Sequence, residues 1–185
     1  MLRRTVIALV MAFFCAAAVM PSQAEAAGKI GVANPIRLQN QSDPGKEAEK
    51  QLVNIFGKER EQIEKQNADL NKQFEDLRKQ SAALSEKALK DRKQKLEKQF
   101  QELNTKGTAY TQRLNRVQQA IDAQLNDVLR EAHDNYAKKN GYDMIIAGTA
   151  VMFYTKGVDV TDELIEEVNK VWKSKGGKFK LDSVK

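Results

Sequence analysis

The feature that most constrains this chain is a seven-residue apolar repeat that runs through the stretch from Pro44 to Asn140 and changes phase once. Phe56, Ile63, Leu70, Leu77 and Leu84 form one series, and Leu89, Leu96, Leu103, Tyr110 and Val117 form a second. A heptad repeat demands a helix with one apolar seam and a partner helix to cover it. The composition agrees: the stretch is rich in Glu, Lys, Gln, Arg, Leu and Ala, all good helix formers, has no proline after Pro44, and contains only Gly45, Gly57 and Gly107. The phase breaks at Ser81-Ala82-Ala83-Leu84-Ser85, the least charged part of the middle. Two repeats separated by such a break predict two helices folded into an antiparallel hairpin. In such a hairpin, facing residues keep a constant sum of residue numbers. Leu52/Leu114, Phe56/Tyr110, Ile63/Leu103, Leu70/Leu96 and Leu77/Leu89 all satisfy one such sum, with its midpoint at Ala83. A single continuous rod has no need of this mirror symmetry.

The flanking sequence predicts a small body. Lys29–Asn34 (KIGVAN) is a strand candidate with Ile30 and Val32 on one face. Asn34-Pro35 is a helix-start signal, and Ser42-Asp43-Pro44 repeats it, with Asp43 as the expected cap of the first long helix to about Gln80. The second long helix spans about Ser85–Lys139. Gly107 falls in its seam, as a tolerated or closely packed position or as a bend between a mobile arm and a fixed base. Beyond it, Leu114, Val117, Ile121, Leu125, Val128, Leu129, Ala132 and Tyr136 are dense enough to be buried in a globular base, and Asn140-Gly141 is a stop signal. Tyr142–Ala147 and Ala150–Thr155 read as two strands of a hairpin turning at Gly148-Thr149. A last helix follows, capped by Thr161, striped by Leu164, Val168, Val171 and Trp172, and ended by Gly176-Gly177. The fold class is therefore α+β, mainly α: a long antiparallel helical hairpin, a coiled-coil arm, on a small β-rich oligomerisation body. Residues 44–107 form the arm with its tip near 81–85, residues 27–43 with 108–175 the body, and residues 176–185 a flexible tail.

Residues 1–26 read as a secretory signal peptide. Arg3 and Arg4 precede the apolar run Val6–Met20, and small residues near Ala24–Ala26 offer cleavage sites. A retained membrane anchor is the weaker alternative, because the run is short for a span. Cleavage removes Cys15, the only cysteine, so the exported chain has no disulfide framework. It also removes two of 31 basic and one of 25 acidic residues, which takes the formal charge from +6 to +5. A basic protein outside the cytoplasm meets acidic polypeptides, anionic lipid or lipopolysaccharide rather than nucleic acid. Too little chain remains outside the arm for a large private core, so self-association is expected.

No catalytic constellation, metal-ligand cluster or cofactor loop is present, and an enzyme is not expected. His133 is the only histidine, no thiol survives cleavage, and no phosphate-binding glycine loop occurs. The charge pattern says more. Around the turn, residues 78–98 carry eight basic residues, Arg78, Lys79, Lys87, Lys90, Arg92, Lys93, Lys95 and Lys98, against three acidic ones. Residues 58–77 carry four basic and six acidic. The tip is thus basic, either as a soluble surface or as a contact for a negative client or membrane surface. Phe74 and Phe100 flank the seam without apolar partners across it and are the candidate apolar contacts. The alternative is that they simply widen the seam.

The signal peptide, the KIGVAN strand before a charged helical hairpin, and above all the ending GYDMIIAGTAVMFYTKGVDVTDELIEEVNK together resemble the Skp (OmpH-like) family of periplasmic chaperones. The resemblance spans nearly the whole exported chain. It implies a homotrimer joined through its body, with three arms around a cavity that holds unfolded outer-membrane β-barrel proteins without ATP. It also implies a possible lipopolysaccharide contact on the arms, for which no individual residue here can be matched. GGKFKLDSVK at the C-terminus extends past the family pattern. A structural coiled-coil protein, tethering to anionic envelope surfaces through its basic tip, is the alternative of a different class.

Overall fold

The computed structural model describes residues 28–182. The signal-peptide reading and its cleavage site lie outside the described residues. The chain runs through strand β1 (Ile30–Ala33), helices α1 (Pro35–Gln41) and α2 (Asp43–Gln80), a 3-10 turn (Ser81–Ala83), helix α3 (Glu86–Asn140), strand β2 (Met144–Ala147), two further 3-10 turns (Gly148–Ala150 and Lys156–Val158), and helix α4 (Thr161–Ser174).

The arm is the expected hairpin of α2 and α3. Leu70, Leu77 and Leu96 are buried between the helices, with Leu84, Leu89 and Leu103 packed against them. Nearer the body, Phe56 meets Tyr110 edge to face at 5.7 Å between centroids. The rims of the seam carry polar cross-ties: Arg113 with Glu59 at 3.0 Å and Arg92 Nη1 donating to Gln80 Oε1 at 2.8 Å. The reversal at the tip is local chemistry. Ser81 Oγ donates to the Arg78 carbonyl, Leu84 is extended, and Ser85 Oγ caps α3 by accepting from the Ala88 amide. Helix α3 passes through Gly107 unbroken, and a Cβ there would touch nothing within 4 Å. The glycine is therefore not a close-packing requirement.

The body is built where α3 leaves α2 and meets α4. Val117, Ile121, Leu125, Val128 and Ala132 face Leu164, Val168, Val171 and Trp172 in one buried cluster. Each set follows the 3.6-residue period of an amphipathic helix, so both stripes are covered by docking the two helices. The N-terminal segment is stitched on by polar contacts. Asn34 Oδ1 caps α1 by accepting from the Ile36 and Arg37 amides. The Asn34 amide donates to Thr161 Oγ1 at 2.9 Å, Arg37 pairs with Asp162, and the Asp43 amide donates to Asn169 Oδ1 at 2.7 Å. α3 ends at Gly141, which has φ 67° and whose amide returns to the Ala137 carbonyl.

Four local expectations are corrected. The cap of α2 is Ser42, whose Oγ accepts from the Gly45 amide, while Asp43 is already helical. Thr161 does not cap α4; it is the first helical residue, and its amide and hydroxyl both donate to Asp159 Oδ1. The β-hairpin does not form. β2 pairs instead with β1, in parallel, with Val32 opposite Ile146. The other side of β1 is occupied near Asp159, where the Val160 amide donates to the Val32 carbonyl at 2.9 Å. Residues 151–155 are left with no strand partner. Directly after β2, Gly148–Ala150 form a 3-10 turn in place of a tight hairpin loop, and the chain does not return alongside β2. Finally, residues 176–182 are not a loose tail. Phe179 and Leu181 are 6% and 2% exposed and belong to the main core.

Candidate functional site: the arm surface and its basic tip

The eight basic residues of the tip all reach solvent. Arg78 and Lys79 occupy the last turn of α2, where the helix carbonyls favour positive charge. Lys87, Lys90, Arg92, Lys93, Lys95 and Lys98 follow on the first turns of α3. Among the described residues, no ion pair within 4.0 Å involves any of the eight. Only Arg92 is tied down, by its bond to Gln80. The tip is thus a positive surface whose charge is neutralised by solvent and counter-ions, which makes it available to an anionic partner and sensitive to salt.

Phe74 and Phe100 are 38% and 44% exposed. Phe100 lines an open groove between the two helices with Ile63, Leu103, Gly107 and Thr108. The missing side chain at Gly107 leaves that groove wide. A second groove toward the tip is lined by Leu77 and Leu96 with Gln73, Arg92 and Lys95. Apolar surface therefore lies directly beside positive charge along the arm. The grooves are shallow and open, which suits contact with an extended, variable chain better than enclosure of a small molecule.

The sequence reading missed another exposed apolar surface. Met152 and Phe153 are fully and largely exposed, and Ile30 and Met144 are each about half exposed. The signal was present in the continuous apolar run Ala150–Tyr154, but the hairpin assignment hid it. By contrast, the titratable groups of the body are engaged in structure. Tyr136 stacks on Tyr142 at 5.6 Å, and burial, with Tyr142 beside it, pushes its hydroxyl up to about 12. The hydrogen bond from Thr161 holds the Asp159 carboxyl below its ordinary value. His133 Nδ1 donates to the Leu129 carbonyl one turn back. Among the described residues, no cluster of His, Cys, Asp and Glu could hold a metal ion.

Fold and surface together define a class: a projecting helical-hairpin arm on a small α+β body, with open grooves beside positive charge along the arm. The family model for outer membrane protein (OmpH-like) matches residues 29–168, and the chain belongs to that family. The family is one of chaperones, and a chaperone role in that general sense goes with membership. The chain is also similar to a solved structure from Caulobacter crescentus, described as a candidate outer membrane chaperone (OmpH-like). That similarity has a TM-score of 0.58 at 15% identity, over 78% of this chain and 86% of the other. At that identity the likeness concerns the fold. No curated protein matches the chain.

Proposed function

We propose that the protein is an ATP-independent periplasmic holdase that binds unfolded outer-membrane β-barrel proteins between the arms of a homotrimer and keeps them from aggregating. The observation that carries the reading is the arm itself. Along the arm, α2 and α3 share one thin seam, are solvated elsewhere, and leave Phe74 and Phe100 uncovered near a dense positive tip. Such a surface can take up chains of many sequences, because apolar contact and charge attraction need no fixed side-chain complement. In this reading residues 44–107 are the working arm, and the body serves oligomerisation. The open two-stranded sheet and the exposed Met152 and Phe153 favour burial against other copies, since an unpaired strand edge beside apolar surface invites association. Export rests on the charged and apolar N-terminal sequence. Among the described residues no helix is long and apolar enough to cross a membrane.

A second reading is favoured by one observation, that among the described residues none of the eight tip residues makes an ion pair within 4.0 Å: the tip tethers the protein to anionic lipid or lipopolysaccharide. One experiment separates the two. Purified protein, without nucleotide, is mixed with a β-barrel protein diluted from urea, and light scattering is followed. A holdase suppresses scattering at one trimer per client, whereas a tether leaves it unchanged. Sedimentation equilibrium tests the assembly, and a stable monomer or dimer at micromolar concentration excludes the trimer.

A further inference from the structure

The C-terminal residues beyond α4 lie outside the family match, which ends at residue 168, yet two of them, Phe179 and Leu181, are buried in the core of the body. At the end of α4 the chain turns back through Gly176 and Gly177, with φ of 98° and 63°. Those left-handed values are readily adopted only by glycine. The turn is closed by the Gly177 amide on the Trp172 carbonyl at 3.0 Å. The returning segment then alternates in the manner of a strand. Phe179 and Leu181 point inward, and Lys180 between them is exposed. Phe179 packs on Trp172 of α4, with ring centroids 4.6 Å apart.

The opposite wall is α3. There the Gln124 side chain imitates a neighbouring strand. Its Oε1 accepts from the Lys180 amide at 2.9 Å, and its Nε2 donates to the Lys180 carbonyl at 3.1 Å. The same Nε2 also donates to the Ala120 carbonyl within α3 at 3.0 Å, so the amide is held in place on its own helix. Both polar groups of one residue of the segment are thus satisfied by a single side chain. The segment lays a hydrophobic plug and a paired hydrogen bond across the junction of α4 and α3.

We infer that residues 176–182 form a C-terminal clasp that ties α4 to α3 and so fixes the direction in which the arm leaves the body. α3 is one unbroken helix from the tip to the body, so a constraint at Gln124 acts on the base of a lever. From Gln124 to the start of α3 the helix is about 57 Å long, and a small rotation at the base becomes a large displacement at the tip. The inference concerns the geometry of the arm and stands whether or not the client reading is right.

The test compares the exported chain with a version ending at Lys175 and with Gln124→Ala. Trp172 is the only tryptophan and sits under Phe179, so its emission reports docking. Truncation is expected to shift the emission to the red and to speed amide exchange at residues 117–128 about a hundredfold or more, as for loss of a large buried side chain. Spin labels at Ala83 and Glu163, diluted into unlabelled chain, then give the distribution of tip-to-body distances. Both variants are expected to broaden it. Unchanged Trp172 emission on truncation would mean that the segment is not docked, and unchanged distance widths would mean that docking does not direct the arm; either overturns the inference. Should the truncated chain fail to fold, the Gln124→Ala width decides, and a width equal to that of the parent overturns it.

Discussion

Leu96→Ala tests whether the arm is an independently opening unit. Leu96 is 5% exposed and clusters with Leu70 and Leu77 in the seam that closes the distal arm. Removing a buried leucine side chain costs about 2–5 kcal/mol, and the lower end applies where the surroundings can relax. A two-helix seam open to water on both sides is such a place, so the expected cost is about 2 kcal/mol. Because every 1.4 kcal/mol is tenfold, amides that exchange through opening of the arm should do so about thirty times faster. The measurement is hydrogen exchange by mass spectrometry at neutral pH. Acceleration is expected in residues 60–106 of both helices, because the hairpin halves can only open together. Peptides covering Val117–Ala132 and Leu164–Trp172 should be unchanged, since their cluster is separate from the arm cluster. Leu164→Ala, at a fully buried body position, should instead accelerate exchange in the body peptides and leave residues 60–106 unchanged. Equal acceleration of arm and body in Leu96→Ala, or none in the arm, would refute two separable units.

Further outcomes follow from the same geometry. Changing Lys87, Lys90, Arg92, Lys93 and Lys95 to glutamine should slow capture of an unfolded barrel protein at low salt and remove the salt dependence, as read by stopped-flow fluorescence. An unchanged rate would rule out steering by the tip. Changing Phe74 and Phe100 to serine should leave association intact and speed release; an unchanged release rate would mean that the rings only widen the seam. The half-exposed pair Arg113–Glu59 should show a coupling of about 0.2–1 kcal/mol in a double-mutant cycle, and a larger value would mean that the pair is effectively desolvated. Asp159 has its carboxyl lowered by the Thr161 hydrogen bond. Its stabilising contribution is therefore complete above the unfolded-state value near 3.8 and is lost as pH falls through the lower folded value. Asp159→Ala should flatten that part of the acid-unfolding curve, and an unaltered curve would refute the assignment.

The arm was legible in the sequence because its determinants are local and periodic. Heptads at Phe56–Leu84 and Leu89–Val117 and the phase break between them specify two helices and the position of their turn. The face that each helix buries follows from its own residues. The positive tip was equally readable, since charge on exposed helix turns stays where the sequence puts it. Phe74 and Phe100 could be proposed as uncovered because the repeat supplied them no partner.

The body was decided elsewhere. An apolar run such as Met144–Ala147 states that it will pair, but not with what. β1 pairs with it from the other end of the chain, and Met152 and Phe153 in the equally apolar run that follows were left uncovered. Strand pairing is a competition among distant edges, and no local pattern records its outcome. The tail shows the same limit in reverse. GGKFKL reads as a polar, lysine-bearing end, but Trp172 on one helix and Gln124 on another make a groove that fits Phe179 and Leu181. Helical periodicity travels with the sequence, whereas a groove between two helices exists only once they have docked.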